Sequence, residues 1–314
     1  MYRTLALGAA TLALVLSACS SGGGSSSPSA TTGASASQSQ AAELPTVKVG
    51  SAGFYEAAVV AEIYAQALEA AGYDVERHLE IGERPAVQAA LNSGEVNLVP
   101  EYLGGLTSFL EADVSSDPQE TWDNMQAALE AKGFTALDFS PGTDADGWVV
   151  RQETADQFDL QTMSDLAAVA DQLVWGLAPA CPENPVCGPG LKDTYGIDIS
   201  QLDVESLSPC STEMAQALNN SAIDVAQVCT TQPDIATFNF VLLEDDKALQ
   251  PAQNIVPVVS QELADAAPDL ASVLDPVTAK LTTEALTELG VAVVTNQEDA
   301  ADVAAQFLQD NGLI

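Results

Sequence analysis

Hydrophobic and polar positions follow two alternating periods along most of the chain. Residues 46–50 alternate like a strand and end at a glycine, and residues 54–71 place apolar side chains three and four positions apart, as a helix does. The following segments repeat the exchange, because 75–79 and 95–99 fit strands and 84–93 fits a helix. Strands that alternate with helices indicate an α/β layered fold rather than a helical bundle or a β-sandwich.

One unit of this pattern occurs twice. Residues 90–98 (Ala-Leu-Asn-Ser-Gly-Glu-Val-Asn-Leu) and 217–225 (Ala-Leu-Asn-Asn-Ser-Ala-Ile-Asp-Val) each read as a helix end, a polar turn and a strand. Each strand leads into polar positions, 100–105 in the first case and 230–234 in the second. Since ligands of α/β sheets bind beyond the carboxyl ends of strands, the repeat predicts two similar lobes that present these segments to one cleft. Chance similarity is the alternative.

The segment 100–105 (Pro-Glu-Tyr-Leu-Gly-Gly) carries the candidate chemistry of the first lobe. We expect Pro100 to end the strand, and the two glycines to allow positive φ angles and close approach of a ligand. Tyr102 is then a ligand contact or, alternatively, an aromatic side chain that packs at the domain edge. Glu101 contacts the ligand, caps a helix or pairs with a base such as Arg151.

The first 44 residues predict export and anchoring rather than a folded domain. An apolar run at 5–16 is too short to span a bilayer, follows a basic start and ends in Leu-Ser-Ala-Cys. We interpret 1–18 as a lipoprotein signal peptide, Cys19 as the lipidated residue and 19–44, which is rich in Ser, Gly and Ala, as a flexible tether. Ordinary secretory cleavage, with Cys19 incidental, is the alternative.

Charge and motif content narrow the function classes. The chain has 45 acidic and 9 basic residues and a net charge of −36, which excludes a surface for nucleic acid or anionic membranes, because both need clustered Lys and Arg. We interpret the acidity as a solvated surface; a salty medium and weak attraction of cationic ligands are the alternatives. The sequence has no Gly-x-Ser-x-Gly motif, no phosphate-binding loop and a single histidine, so we predict no enzyme, metal or cofactor. A catalytic pair of carboxylates in the cleft is the alternative.

Beyond the N-terminal segment there are four cysteines, Cys181, Cys187, Cys210 and Cys229. In an exported chain an even number predicts disulfides, with three connectivities. We favour Cys181–Cys187, within a loop rich in Pro and Gly, and Cys210–Cys229, because a helix and the strand after it run antiparallel and bring these two positions to one end. A zinc site is the alternative, but the spacing does not fit a zinc ribbon and the histidine is distant in sequence.

Five further segments carry a family resemblance. They are residues 50–54 (Gly-Ser-Ala-Gly-Phe), 100–102 (Pro-Glu-Tyr), 190–196 (Gly-Leu-Lys-Asp-Thr-Tyr-Gly), 243–247 (Leu-Glu-Asp-Asp-Lys) and 254–259 (Asn-Ile-Val-Pro-Val-Val). In order and spacing they resemble the substrate-binding lipoproteins of osmoprotectant ABC transporters, the glycine betaine, choline, carnitine and proline betaine group. The resemblance extends from residue 47 to the C-terminus. It implies a two-lobed periplasmic-binding-protein fold (type II) with two crossovers and a cleft between the lobes.

The resemblance also implies a function and an organisation. Lobe 1 comprises 45–145 plus 246–314, and lobe 2 comprises 146–245. The protein is then a monomeric extracytoplasmic receptor, lipid-anchored through Cys19 to the outer face of the bacterial cell membrane. It captures a compatible solute of the quaternary-amine type and delivers it to a permease driven by an ATPase. Two alternatives are a changed pocket for a different small polar or aromatic solute, and a surface lipoprotein that acts by protein contacts.

Members of this family hold a quaternary ammonium in a cage of tyrosines, because π faces attract a methylated cation. Tyr102 matches one cage position, whereas two others fall at Asp146 and Cys229. The family's usual glutamine falls at Ala57, and its threonine or acid falls at Gly105. The usual cage is therefore largely absent from this sequence.

The resemblance leaves two interpretations of the ligand site. Either Tyr102, Trp148 and Phe54 form a reduced cage helped by Asp146 and Glu101, or the ligand is different. Trp148 is alternatively a core residue, and the candidates of the second lobe's loop are alternatively plain loop residues. The ligand-binding candidates are Ser51, Phe54, Glu101, Tyr102, Gly105, Asp146, Trp148, Thr230, Thr231 and Gln232.

Overall fold

Residues 44–314 are described by the structure, a computed structural model, and they form two five-stranded β-sheets flanked by helices. The strands are β1 Val47–Gly50, β2 Val75–His78, β3 Leu98–Tyr102, β4 Phe134–Ala136, β5 Asp146–Val150, β6 Val174–Leu177, β7 Asp203–Ser206, β8 Val225–Cys229, β9 Val241–Leu242 and β10 Ile255–Ser260. The helices are α1 Tyr55–Ala70, α2 Arg84–Ser93, α3 Leu103–Phe109, α4 Pro118–Glu130, α5 Gln152–Phe158, α6 Met163–Ala167, α7 Gly188–Gly190, α8 Thr212–Asn219, α9 Pro233–Thr237, α10 Gln261–Ala266, α11 Leu270–Thr278, α12 Thr283–Gly290 and α13 Ala300–Asp310. Turns of 3-10 helix lie at Ala170–Gln172 and Ile199–Gln201, and π-helical turns at Leu191–Tyr195 and Val291–Thr295.

The N-terminal predictions concern residues that the structure does not describe. The signal peptide, Cys19 and nearly all of the tether fall before residue 44 and lie outside the described residues. From residue 44 onwards, none of the helices combines the length and the apolar character that a bilayer span requires.

The two sheets share one topology. The strand order is β2-β1-β3-β10-β4 in the first sheet and β7-β6-β8-β5-β9 in the second. In each sheet one strand, β10 or β5, runs antiparallel to both of its neighbours. The α/β prediction is confirmed, and the repeated sequence units at 90–98 and 217–225 lead into β3 and β8, which hold equivalent places in the two lobes.

The chain passes between the lobes twice, through two neighbouring segments. It leaves the first sheet after β4 and enters the second at β5, and it returns between β9 and β10. The two segments touch, because Thr143 pairs with Asn254 in a β-bridge and the Asp144 N–H donates to the Gln253 carbonyl at 3.1 Å. Both crossovers are therefore held together beside the inter-lobe region, while the boundaries at 145/146 and 245/246 stay predictions.

Each sheet separates two hydrophobic clusters. The periodic apolar face of α1 enters the larger cluster of the first lobe and packs with α11, α12 and α13, so the C-terminal helices flank that lobe. Along β5 the side chains alternate, with Trp148 and Val150 in one cluster of the second lobe and Val149 in the other. Trp148 is only 1% exposed, so most of this side chain is core, as the alternative interpretation held.

The prediction that Pro100 ends the strand is wrong. β3 continues through Pro100 to Tyr102, and Pro100 lies directly opposite Pro257 of β10. Proline has no backbone N–H group to donate. Two prolines that face each other therefore leave no donor unpaired between the strands, and the antiparallel pair tolerates both. The predicted glycine turn is also wrong, because Gly104 and Gly105 lie inside α3 without positive φ angles.

Some short elements lack a periodic signal in the sequence. β7 is an edge strand whose four residues are all exposed, so no alternation of apolar positions marks it. α5 and α9 span seven and five residues and were not predicted. Within the apolar segment 240–244, only the two residues of β9 form a strand.

Both favoured disulfides are confirmed, Cys181–Cys187 and Cys210–Cys229. Cys210 lies just before α8 and Cys229 ends β8, and their Cα atoms are 5.0 Å apart. The antiparallel course of this helix and strand thus brings the two cysteines together beside residues 230–232.

Candidate functional site

Aromatic and acidic side chains of the first lobe converge at the start of α1. The Tyr102 hydroxyl, at the end of β3, donates to Oε1 of Glu56 at 2.6 Å. The Tyr102 ring lies 5.8 Å from the ring of Phe54, the residue that precedes α1. Glu56 stands in the first turn of α1, so this contact joins the end of the strand to the N-terminus of the helix.

The first crossover and the second lobe complete this group. The Thr231 hydroxyl, just after β8, donates to Oδ1 of Asp144 at 2.8 Å. Thr231 also lies near the Glu56 carboxyl and the Tyr55 hydroxyl. We call Tyr55, Glu56, Tyr102, Asp144 and Thr231 the inter-lobe cluster, since it draws on both lobes and the segment between them.

Three members of the inter-lobe cluster, Glu56, Tyr102 and Thr231, are buried, and Tyr55 and Asp144 are partly buried. Burial and, to a smaller extent, the nearby Asp144 carboxyl raise the pKa of Glu56 to about 7, although the hydroxyls of Tyr102 and Thr231 oppose the shift. Burial also raises the pKa of Asp144, with a contribution from Asp146, and burial raises the pKa of Asp146 itself. Throughout 44–314, no Lys or Arg side chain forms a salt bridge with these three carboxyls. The acids therefore have no fixed counter-charge.

A cavity of about 700 Å³ adjoins the cluster along the crossovers. Asp146, Trp148 and Thr230 line it, together with residues of both crossover segments. The Thr230 hydroxyl donates to the Thr143 carbonyl at 2.9 Å and accepts from the Ala145 N–H at 3.0 Å. Three predicted site residues thus border this cavity, and segment 143–146 connects it to the inter-lobe cluster.

The other predicted site residues form hydrogen bonds or ion pairs with other groups of the protein. Ser51 accepts from the Glu80 N–H at 2.8 Å, and the Gly105 N–H donates to the Gln253 side chain at 3.0 Å. Glu101 is 4% exposed and pairs with Arg84 at 3.0 Å.

The alternative partner of Glu101 is wrong. Arg151 lies in the second lobe, where it pairs with Asp224 at 2.7 Å, and Glu101 is already neutralised by Arg84.

The side-chain amide of Gln232 donates to Asp234 at 2.7 Å, and its Oε1 has no partner.

Sequence reasoning missed three members of the inter-lobe cluster, Tyr55, Glu56 and Asp144. The signal for the first two was their place directly after the turn that follows β1, where the N-terminus of α1 points beyond the sheet. Asp144 lies in a segment, 140–147, whose Pro, Gly and Asp content indicates only a loop. Its approach to Thr231 spans 87 positions of the chain, which no local pattern records.

One known family matches almost all of the described chain. The substrate binding domain of the ABC-type glycine betaine transport system (OpuAC) matches residues 45–310. The chain belongs to this family. Among its relatives, the glycine betaine-binding protein YehZ of Escherichia coli strain K12 is 27% identical over 280 residues, which cover 85% of this chain and 90% of that protein. The carnitine transport binding protein OpuCC of Listeria monocytogenes strain 10403S is 26% identical over 278 residues, covering 85% and 87%.

A solved structure agrees with the fold. A structure described as a glycine betaine/carnitine/choline ABC transporter superposes with a TM-score of 0.79 at 24% identity, covering 85% of this chain and 99% of that one. The two-lobed periplasmic-binding-protein prediction is therefore confirmed. As a member of the OpuAC family, the protein is a substrate-binding receptor of an ABC importer rather than an enzyme, and it acts on the extracytoplasmic side with a permease.

Proposed function

We propose that this receptor captures a small compatible solute with a cationic nitrogen head group between its two lobes. The observation that carries the proposal is the inter-lobe cluster, in which buried carboxyls and aromatic rings meet without a basic partner. A carboxylate and a π face are the two protein groups that attract an ammonium or onium head. The relatives named for glycine betaine and carnitine, both quaternary amines, support the same ligand class.

The candidate residues divide into two roles under this proposal. Tyr102 and Thr231 face the solute from the inter-lobe cluster, with Phe54 beside the Tyr102 ring, and Asp146, Trp148 and Thr230 face it from the adjoining cavity. The other four, Ser51, Glu101, Gly105 and Gln232, hold the surrounding backbone and side chains in place.

Lobe closure couples capture to delivery. A solute that contacts both lobes binds the closed arrangement better than the open one, and so shifts the population toward closure. The closed receptor then docks on the permease, whose ATPase drives import. Cys19, lipidated after removal of 1–18, and the tether 19–44 keep the monomeric receptor at the outer face of the bacterial cell membrane.

Calorimetric titration with glycine betaine, choline, carnitine, ectoine and amino acids tests the proposal. We expect at least one amine or onium solute to bind with saturable heat and to raise the melting temperature. Absence of binding by every solute would overturn the proposed function and favour a lipoprotein that acts by protein contacts.

A substitution at Tyr102 tests where the solute binds. Tyr102 packs in the core, so Tyr102→Phe keeps its ring and removes only the hydroxyl that holds Glu56. We expect weaker solute binding, by about tenfold for a lost hydrogen bond to a charged group. Tyr64→Phe is the matched control, because the Tyr64 hydroxyl is also buried but bonds to Thr278 at 3.0 Å, within the first lobe. Equal affinities of the two variants would contradict this site.

A further inference from the structure

We propose, building on the proposed function, that the solute is a net cation bearing N–H groups, that is, a protonated primary or secondary amine without a carboxylate. The charge balance between the lobes and the buried atoms that lack partners carry this inference. It separates the receptor's ligand from zwitterionic betaines and from fully methylated ammonium ions.

The charge balance concerns the acids at the crossover. Glu56 is buried and lies near the partly buried Asp144, which in turn lies near the partly buried Asp146, and Asp234 lies close enough to influence Tyr55. Arg84 and Arg151 are engaged by Glu101 and Asp224 respectively. A ligand carboxylate would add a further buried negative charge with no base to receive it, which is costly in a desolvated site. A ligand with positive charge only would pair with these carboxyls and favour their ionised form.

The unpartnered atoms concern hydrogen bonding. Within residues 44–314, the buried polar side-chain atoms that lack any partner are Oε2 of Glu56, Oε1 of Gln232 and Nε1 of Trp148. The first two are acceptors on side chains that are 1% and 5% exposed. Buried acceptors of this kind normally have a donor, and leaving them bare costs free energy. An amine N–H supplies a donor, whereas a trimethylammonium group has none. The unpartnered donor on Trp148 lines the cavity and suits a neutral oxygen such as a hydroxyl.

The small aromatic surface beside the inter-lobe cluster also favours a ligand that bears N–H groups. Ring stacking at the cluster is confined to the pair Phe54 and Tyr102, and the other ring pair described in 44–314, Phe238 with Phe240, lies in the second lobe. Tyr102 is 7% exposed and its hydroxyl is committed to Glu56, so most of its ring serves the core. A methylated cation depends on several π faces, because it offers no hydrogen bond. Here acceptor oxygens outnumber free aromatic faces.

Four small ligands separate the two halves of the proposal. Ethanolamine and choline are both cations with a hydroxyl, but only ethanolamine has N–H groups; glycine and glycine betaine are their carboxylate counterparts. Titrated calorimetrically into the full receptor at neutral pH, ethanolamine should bind about tenfold tighter than choline, the worth of one charged hydrogen bond. Each cation should bind tighter than its carboxylate counterpart.

The results of these titrations distinguish a failure of this inference from a failure of the proposed function. Glycine betaine as the tightest of the four, or choline equal to ethanolamine, would overturn the inference and leave the amine-receptor function intact. Silence of all four while carnitine or another solute binds would also overturn it. Silence of every solute would overturn the function itself.

Variants locate the amine. Glu56→Gln keeps an acceptor for Tyr102 and removes the charge, and should weaken ethanolamine binding about tenfold while changing choline less. Glu62→Gln is the control, since Glu62 is another buried acid of α1 but is held by Arg77 at 2.8 Å. Asp144→Asn provides a second variant if Glu56→Gln does not fold. Loss of the preference in Glu62→Gln, or its retention in both other variants, would refute the placement.

Discussion

Glu56 is a residue whose charge state depends strongly on its surroundings. It lies in the first turn of α1, is almost fully buried, and faces the Tyr102 phenol, Thr231 and the Asp144 carboxyl without a base. The helix N-terminus and two hydroxyls favour its ionised form, but burial opposes ionisation more strongly, so its pKa rises from 4.5 to about 7.

The raised pKa of Glu56 predicts a pH dependence of stability. Between pH 4.5 and pH 7 the folded receptor holds a proton on Glu56 that the unfolded chain has released, so the free energy of unfolding falls as pH rises through this window. The loss amounts to roughly 3 kcal/mol at most. Urea unfolding of the ligand-free protein across these pH values measures it.

Glu56→Gln is the control for that measurement, because it cannot ionise. We expect its stability to vary less over the same window, with the remaining slope coming from Asp144 and Asp146, whose pKa values burial also raises. Identical slopes for the variant and the natural protein would show that Glu56 does not bind the extra proton.

At the scale of elements, the second repeat unit is reinforced by a covalent bond. Cys210–Cys229 ties the start of α8 to the end of β8, next to Thr230 and Thr231. Cys181–Cys187 closes a much shorter loop, six positions apart against nineteen. A longer closed loop restricts the unfolded chain more.

Removing each disulfide should therefore have unequal effects. Replacing Cys210 and Cys229 by Ser should cost about 3 kcal/mol of stability, and replacing Cys181 and Cys187 about 2 kcal/mol. Urea unfolding of the two double variants under non-reducing conditions gives the comparison. A larger loss for the shorter loop would mean that native packing, rather than loop closure, dominates both bonds.

The elements that sequence patterns missed have identifiable reasons. Pro100 was expected to stop β3, but its acceptance depends on Pro257, a partner more than 150 positions away in β10. α3 contains two glycines, which normally disfavour a helix, and it is held instead by contacts with the second crossover. Tertiary context overrode local propensity in both cases.

At the scale of the whole molecule, the lobes meet through α9 and the C-terminal helices. α9 of the second lobe packs on α12 and on the π-helical turn Val291–Thr295. At Gly290, the last residue of α12, a methyl group would lie 2.7 Å from Pro233 of α9 and 3.0 Å from the Tyr55 ring. Closure of the lobes thus relies on the missing side chain of Gly290.

Gly290→Ala should hold the lobes apart. We expect solute affinity to fall about tenfold, because the binding-competent closed state becomes a minor population, while each lobe stays folded. Calorimetric titration measures the affinity, and small-angle scattering with ligand should show a larger radius of gyration. Glu288→Ala, at an exposed position of the same helix, is the control. Unchanged affinity in Gly290→Ala would exclude this contact from closure.

The sequence by itself determined the layers, the two lobes, both disulfides and the family. Burial of one face imposes a period of two or 3.6 residues, and the spacing of cysteines around one helix–strand unit is local, so each leaves a mark in a short window. Only the tertiary structure assembled the inter-lobe cluster, because Glu56, Asp144 and Thr231 come from three distant segments of the chain. The loss of solvent that raises the Glu56 pKa arises from that assembly, and no window of the sequence contains it.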